Sequence, residues 1–147
     1  MAQVVYNRAK DDMAEAYIAG RTFKMMLLKT TAAGAFVATI DTVTNLLAVG
    51  SVAECDFTNY TRKTLASTTS TEDDGNNRAN VDSANVTWTS AGGATNNTPA
   101  AAVIIDTTVD TSDSTRILVA YYDTNFGSVA TNGGDFTVNI TDWLRLA

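Results

Sequence analysis

The sequence predicts a mainly β domain, an antiparallel β-sandwich or Greek-key barrel with one N-terminal α-helix. Three observations carry that expectation. Threonine makes up close to a sixth of the chain while glutamate occurs only at positions 15, 54 and 72, and branching at Cβ restricts χ1 in a way that suits strands better than helix interiors. Short runs of valine, isoleucine and aromatic residues recur between clusters of Gly, Asn, Asp and Ser, the pattern of many strands joined by polar turns. Only the first stretch of the chain carries apolar residues at helical spacing.

That stretch is read first. Val5, Ala9, Met13, Ala16 and Tyr17 recur at spacings of three and four, with Arg8, Lys10, Asp11, Asp12 and Glu15 largely elsewhere. The spacing predicts a helix over about 7–19, with Asn7 as its cap and Gly20 as its end. Its apolar stripe is expected to pack on the sheet; the alternative is an interfacial helix that docks on a partner.

From about residue 21 to 147 the pattern predicts the β body of a single domain. FKMMLLKT (Phe23 to Thr30) has Phe23, Met25 and Leu27 on one face and Met26 and Leu28 on the other, which reads as a central strand covered on both sides. Further strands are expected at Ala35 to Ile40, Tyr60 to Ala66, Val86 to Thr89, Ala101 to Ile105, Ile117 to Tyr122 and Phe136 to Ile140. Turns are expected at Glu72 to Asn77, Ser90 to Pro99, Thr107 to Ser114 and Asn132 to Asp135. Thr44 to Asp56 reads either as a short second helix or as a buried loop. The expected core includes Phe23, Met25, Leu27, Ile104, Leu118, Val138 and Ile140. The Gly- and Asn-rich segment from Ser90 to Pro99 is expected to be a surface loop whose composition allows mobility or several conformations.

Composition excludes much chemistry. There is no histidine and a single cysteine, so Ser-His-Asp and Cys-His catalysis, the usual zinc sites and an internal disulfide are all ruled out. Cys55 is expected to be an inert buried thiol. Asp73, Asp74, Asp106, Asp110 and Asp113 supply carboxylate pairs of the kind glycoside hydrolysis needs, and Thr71 to Asn77 supplies oxygen donors suited to calcium. In both cases turn-forming residues are the simpler reading. Trp88 and Trp143 are candidate platforms for stacking a sugar or peptide, set against the commoner role of large aromatics as core. No enzymatic activity, cofactor or metal is expected.

Charge is unevenly spread. Residues 1–63 hold seven basic and six acidic side chains, residues 64–147 three and ten. Lys24, Lys29, Arg62 and Lys63 are the nearest approach to a basic cluster, too sparse to neutralise a run of phosphates, so nucleic-acid binding is not expected. No apolar run reaches the length of a membrane span, and the opening residues lack the features of a signal peptide. Neither membrane association nor export is therefore expected.

The order of segments carries a resemblance. The opening YNRAK, then FKMMLLKT, VAECDFTNYTRKTLA, TEDDGNNRANVDSANVTWTS, AAVIIDTT, ILVAYYD and GGDFTVNI resemble a family of small virion structural proteins of tailed bacteriophages, encoded among head and neck genes. Tyr60 to Leu65, Asp73 to Asn85 and Val86 to Trp88 are the most specific pieces. The resemblance implies a capsid decoration, or cement, protein on the virion exterior, made in the host cytoplasm and partnered by the major capsid protein. It transfers no functional residues. Homo-oligomerisation is expected on the particle, with three copies around a local threefold axis as the first arrangement, and Lys24, Lys29, Arg62 and Lys63 mark the expected face toward the capsid. The alternative is a tail or neck adhesin binding host-surface carbohydrate through Trp88 or a neighbouring loop.

Overall fold

The computed structural model describes residues 4–32, 34–109, 111–123 and 126–147. In chain order the elements are α1 (Asn7–Ile18), β1 (Phe23–Thr30), α2 (Val43–Leu47), β2 (Ala53–Glu54), β3 (Lys63–Thr64), β4 (Thr69–Asp73), a 3-10 turn at Asp74–Asn76, β5 (Arg78–Asp82), β6 (Val86–Trp88), β7 (Ala101–Asp106), β8 (Ile117–Tyr122), β9 (Phe136–Val138) and β10 (Leu144–Leu146). The fold is mainly β, with antiparallel sheets and an N-terminal helix, as the sequence predicts.

β1 organises the largest sheet. It pairs antiparallel with β7 over its length and with β2 and β3 on its other edge, and β8 closes the far side in the order β2-β1-β7-β8. A second sheet has the order β10-β5-β4, and β6 pairs with β9 in a two-stranded ribbon. Alternate side chains of a strand point to opposite faces, so Phe23, Met25 and Leu27 join one core and Met26 and Leu28 another. The first core lies between the sheets and includes Ile104, Val81, Val86, Trp88 and Trp143. The second lies under α2 and includes Val43, Leu46, Val103 and Ile105. Of the expected core residues, Phe23, Met25, Leu27, Ile104 and Ile140 are buried, while Leu118 and Val138 are only half-buried at the margins.

Several local expectations differ from the structure, each for a physical reason. Ala35 to Ile40 is a series of turns, with Ala35 N–H donating to Ala32 O and Ile40 N–H to Val37 O. Strand pairing in Tyr60 to Ala66 is limited to β3, because a turn at 57–60, with Asn59 at a left-handed φ of 70°, occupies the approach. The expected turn at Glu72 to Asn77 is the tip of a hairpin whose strands β4 and β5 are too polar to show apolar alternation. Thr44 to Asp56 contains both options, the short helix α2 and then a buried approach to β2.

The segment from Ser90 to Pro99 is pinned rather than mobile. Thr58 and Thr95 exchange hydrogen bonds, Asn97 and Thr131 do the same, and Asn97 Nδ2 and Oδ1 pair with Asp56 Oδ1 and N–H. Gly92, at φ 90°, is required here because a Cβ would overlap Asn96 Oδ1 and Thr131 Oγ1.

The helix departs furthest from expectation. Tyr6 is its N-cap and makes no side-chain cap bond, because Asn7 Nδ2 instead donates to Asp74 Oδ1 at 2.8 Å. α1 packs on β4 and β5 through a polar face: Lys10 Nζ donates to Asn77 O at 2.5 Å and Ser70 Oγ to Asp11 Oδ1 at 2.6 Å. Lys10, Asp11 and Ala14 are the buried helical residues; of the expected stripe, Tyr17 packs on the core beside Phe23, while Val5, Ala9, Met13 and Ala16 are exposed. A buried charge costs little once paired and hydrogen-bonded, and much otherwise; here the hairpin tip supplies the partners and so fixes the orientation.

Two substitutions separate core from surface. Leu27→Ala should lower the unfolding free energy by about 3 kcal/mol, measured by urea denaturation, whereas Met13→Ala should change it by no more than about 0.5 kcal/mol. Comparable losses at the two positions would mean that the helix stripe is packed inward.

Candidate functional site

The four cations singled out in the sequence do not form one patch. Register places Lys24 opposite Thr64 and Lys63 opposite Met25, and since cross-strand partners share a face, Lys24 and Lys63 stand on opposite faces of the β1–β3 pair. Lys29 is bound to Asp56 at 2.5 Å. Arg62 is held by two carboxylates: Nε and Nη2 donate to Glu54 Oε1 and Oε2 at 2.8 and 2.7 Å, and Nη1 and Nη2 to Asp113 Oδ1 and Oδ2 at 2.6 and 2.8 Å. Lys24 and Lys63 make no ion pair among the described residues.

The Arg62 cluster is a structural clamp. Leu27 N–H donates to the Tyr60 hydroxyl, which donates to Glu54, and Arg116 adds a further bond to Asp113 at 2.8 Å. The chain of bonds ties β1 and β2 to the segment that precedes β8. Bidentate arginine–carboxylate pairs give geometric specificity as well as energy. Bonds from Arg62 hold the Asp113 carboxyl below the ordinary carboxylate range, against the opposing effect of partial burial, with Arg116 assisting. Burial, reinforced by Glu54, raises the Tyr60 hydroxyl far above its ordinary value. Burial likewise pushes the Cys55 thiol up to about 12, the opposite of what a nucleophile needs.

The other candidates resolve into scaffold. Trp88 is wholly buried and its indole N–H donates to Thr61 O at 2.7 Å; Trp143 is buried and donates to Ser83 Oγ at 2.9 Å. Neither offers a face to a sugar. Asp73 accepts bonds from Asn76, Arg78 and Asn80, which organise the hairpin tip, and Asp74 accepts from Asn7. Asp106 is engaged by Arg21 and Thr108; Asp110 lies outside the described residues. Among the described residues no group of three or more acidic or thiol side chains is placed to hold a metal ion, and no helix is long and apolar enough to cross a membrane.

The feature the sequence reading missed lies at β8. This strand ends its sheet. A neighbouring segment covers its outer side only at the start, where Leu118 N–H donates to Asp41 O and Val43 N–H to Arg116 O. Among the described residues no strand lies beyond positions 119–122. Beside this open edge Phe36 stacks on Tyr121 with centroids 3.4 Å apart, and Phe36, Val37 and Ile117 are 41%, 50% and 50% exposed. A depression of about 400 Å³ lies beside Phe36 and Val37 and is lined also by Ile40, Leu46, Val103 and β8 from Leu118 to Tyr121; Ile117 lies at the covered start of the strand. An uncovered edge offers backbone donors and acceptors to an added strand, and the apolar shoulder offers side-chain pockets beside it. The one sequence signal available was the pair Phe36-Val37 standing alone among Ala, Gly and Thr.

Two measurements check the clamp and the thiol. Asp113, with its folded pKa depressed, contributes stability that is fully present above the ordinary aspartate value of about 3.9 and is lost as pH falls through the lower folded value. Arg62→Met should therefore reduce stability at neutral pH by about 2 kcal/mol, less than for a fully buried pair because the cluster is part-exposed, and should flatten the loss between about pH 5 and pH 2. An acid limb as steep as in the unaltered protein would remove the clamp from the account. Cys55 should resist iodoacetamide at pH 8 until the protein unfolds; prompt labelling of the folded chain would contradict its burial.

The chain matches no family model, and comparisons with curated proteins and with solved structures gave no significant match.

Proposed function

We propose that this chain is a non-enzymatic structural protein of a tailed-bacteriophage virion, a decoration protein that binds the exterior of the assembled head and stabilises it. The observation that carries this reading is the open β8 edge beyond Leu118 with its apolar shoulder of Phe36 and Val37. It sits on a scaffold whose neighbouring loops are fixed by the Arg62 clamp. Such an edge suits an extended segment of the major capsid protein, joined by backbone hydrogen bonds and seated by its apolar side chains. The order of segments along the chain supports the same reading. Of the four cations expected to face the capsid, Lys24 and Lys63 make no ion pair among the described residues and stand on opposite faces of the β1–β3 pair, so they steer docking rather than hold it. The protein resides in the host cytoplasm before assembly and on the capsid exterior afterwards.

A protein of this kind works by differential affinity. It binds the assembled lattice better than free capsid subunits, and occupancy then shifts the equilibrium toward the closed shell. A micromolar contact corresponds to about 8 kcal/mol at standard state, and at a free concentration of about 100 times the dissociation constant each site is stabilised by about 2.7 kcal/mol. Repetition over the shell makes the total large.

The test is made on particles. Purified virions should carry the protein in numbers on the order of the capsid lattice sites, and particles lacking it should rupture at lower temperature or milder osmotic shock. Adding the protein back should restore resistance, and Phe36→Asp should lower occupancy at a fixed concentration by about tenfold or more while the variant stays folded. Undecorated particles that survive equally well but no longer adsorb to host cells would overturn this function in favour of a host-binding one.

A further inference from the structure

The outward stripe of α1 is the strongest feature that the proposed function leaves unused. Tyr17 of the stripe packs on the core, but Val5, Ala9, Met13 and Ala16 are exposed, Val5 and Met13 at 46% and 52% along the rim of a groove beside β8 and β10, with Tyr6 at 78% next to them. An amphipathic helix ordinarily buries this face. Here the opposite face is already anchored to the β4–β5 hairpin by Asn7, Lys10 and Asp11, so the stripe cannot turn inward without breaking those bonds.

The geometry points to a second copy of this chain as the occupant, with two α1 helices packed antiparallel about a twofold axis that crosses the outward face beside Asp12. Two complementarities select that partner. The stripe alternates large and small residues, so a twofold axis at this point sets Met13 over Ala9 of the second copy and Tyr6 over its Ala16, and the reciprocal contacts follow by symmetry. The charged rim is self-complementary too. Arg8 and Glu15 lie near opposite ends of the same side of the stripe, and antiparallel pairing brings each Arg8 beside Glu15 of the second copy. Asp12, closest to the axis, is already neutralised by Arg8 of its own copy at 2.7 Å, so each Arg8 lies between its own Asp12 and the opposite Glu15. A contact of this kind closes at two copies and concerns the free protein, whereas the threefold arrangement expected from the sequence concerns the particle. It holds whether or not the chain sits on a capsid.

Sedimentation equilibrium of the full chain from micromolar to millimolar concentration should show a reversible monomer–dimer equilibrium. Met13→Glu should weaken it by about tenfold or more, with circular dichroism and thermal unfolding unchanged because the side chain is exposed. Arg8→Glu and Glu15→Arg should each weaken it by about two- to fivefold, and the two combined in one chain should recover most of that loss. That recovery is specific to antiparallel self-pairing. A protein that stays monomeric throughout, a dimer indifferent to Met13→Glu, or a double charge reversal that restores nothing would each overturn the assignment.

Discussion

Burial of β1 on both faces is the constraint on which the rest of the structure depends. Met25, Met26, Leu27 and Leu28 are consecutive and all fully shielded from solvent. A strand sends successive side chains to opposite faces, so four such residues demand two separate covers. The β10-β5-β4 sheet and the β6–β9 ribbon supply one, and α2 with its flanking turns supplies the other. β7, with six buried residues in register against β1, meets the same demand from the neighbouring position. The remaining elements are placed by these two strands: β8 is the outermost addition to their sheet, and among the described residues no strand covers its far edge beyond Leu118.

Polar side chains then fix what the apolar core leaves free. The abundance of Thr and Asn, which in the sequence looked like strand propensity and loop flexibility, is used largely for specific bonds. Asn97 and Thr131 lock the segment before β7, Thr58 locks the one after Phe57, and Thr87 and Thr137 bond across the β6–β9 pair. Arg62 performs the equivalent task with charges, joining Glu54 eight residues before it to Asp113 fifty-one residues after it. For the proposed contact at β8, scaffold loops that are already fixed mean that less ordering is lost on association.

How much of this was legible follows from which interactions decide each element. β1, β6 and β7 were readable because local apolar pattern and burial agree there, and β8 and β9 because their β-branched and aromatic runs suit a strand even when only half-buried. β4, β5 and β10 were not, since Thr69 to Asp73 shows no apolar alternation and three residues around Leu144 make too short a signal. The helix was found, but of its stripe only Tyr17 packs on the core, because bonds donated by Asn7 and Lys10 to a hairpin some sixty residues away, and the one Asp11 accepts from Ser70, set its orientation. The basic residues were found and their role was not: whether Arg62 or Lys29 is available to a partner depends on carboxylates that only folding brings near. The open edge of β8 is a property of strand order, which no single segment encodes.

Native-state hydrogen exchange resolved by residue tests the central claim most directly, because it ranks elements by the free energy needed to open them. If the doubly covered pair is the spine of the fold, amides of Phe23 to Thr30 and Ala101 to Asp106 should exchange last, at the rate set by global unfolding. Those of α1, held to the hairpin by a few polar bonds, should exchange well before them in the monomer. Exchange in β1 as fast as in the β4–β5 hairpin, or an α1 as protected in the monomer as β7, would contradict a structure organised around β1.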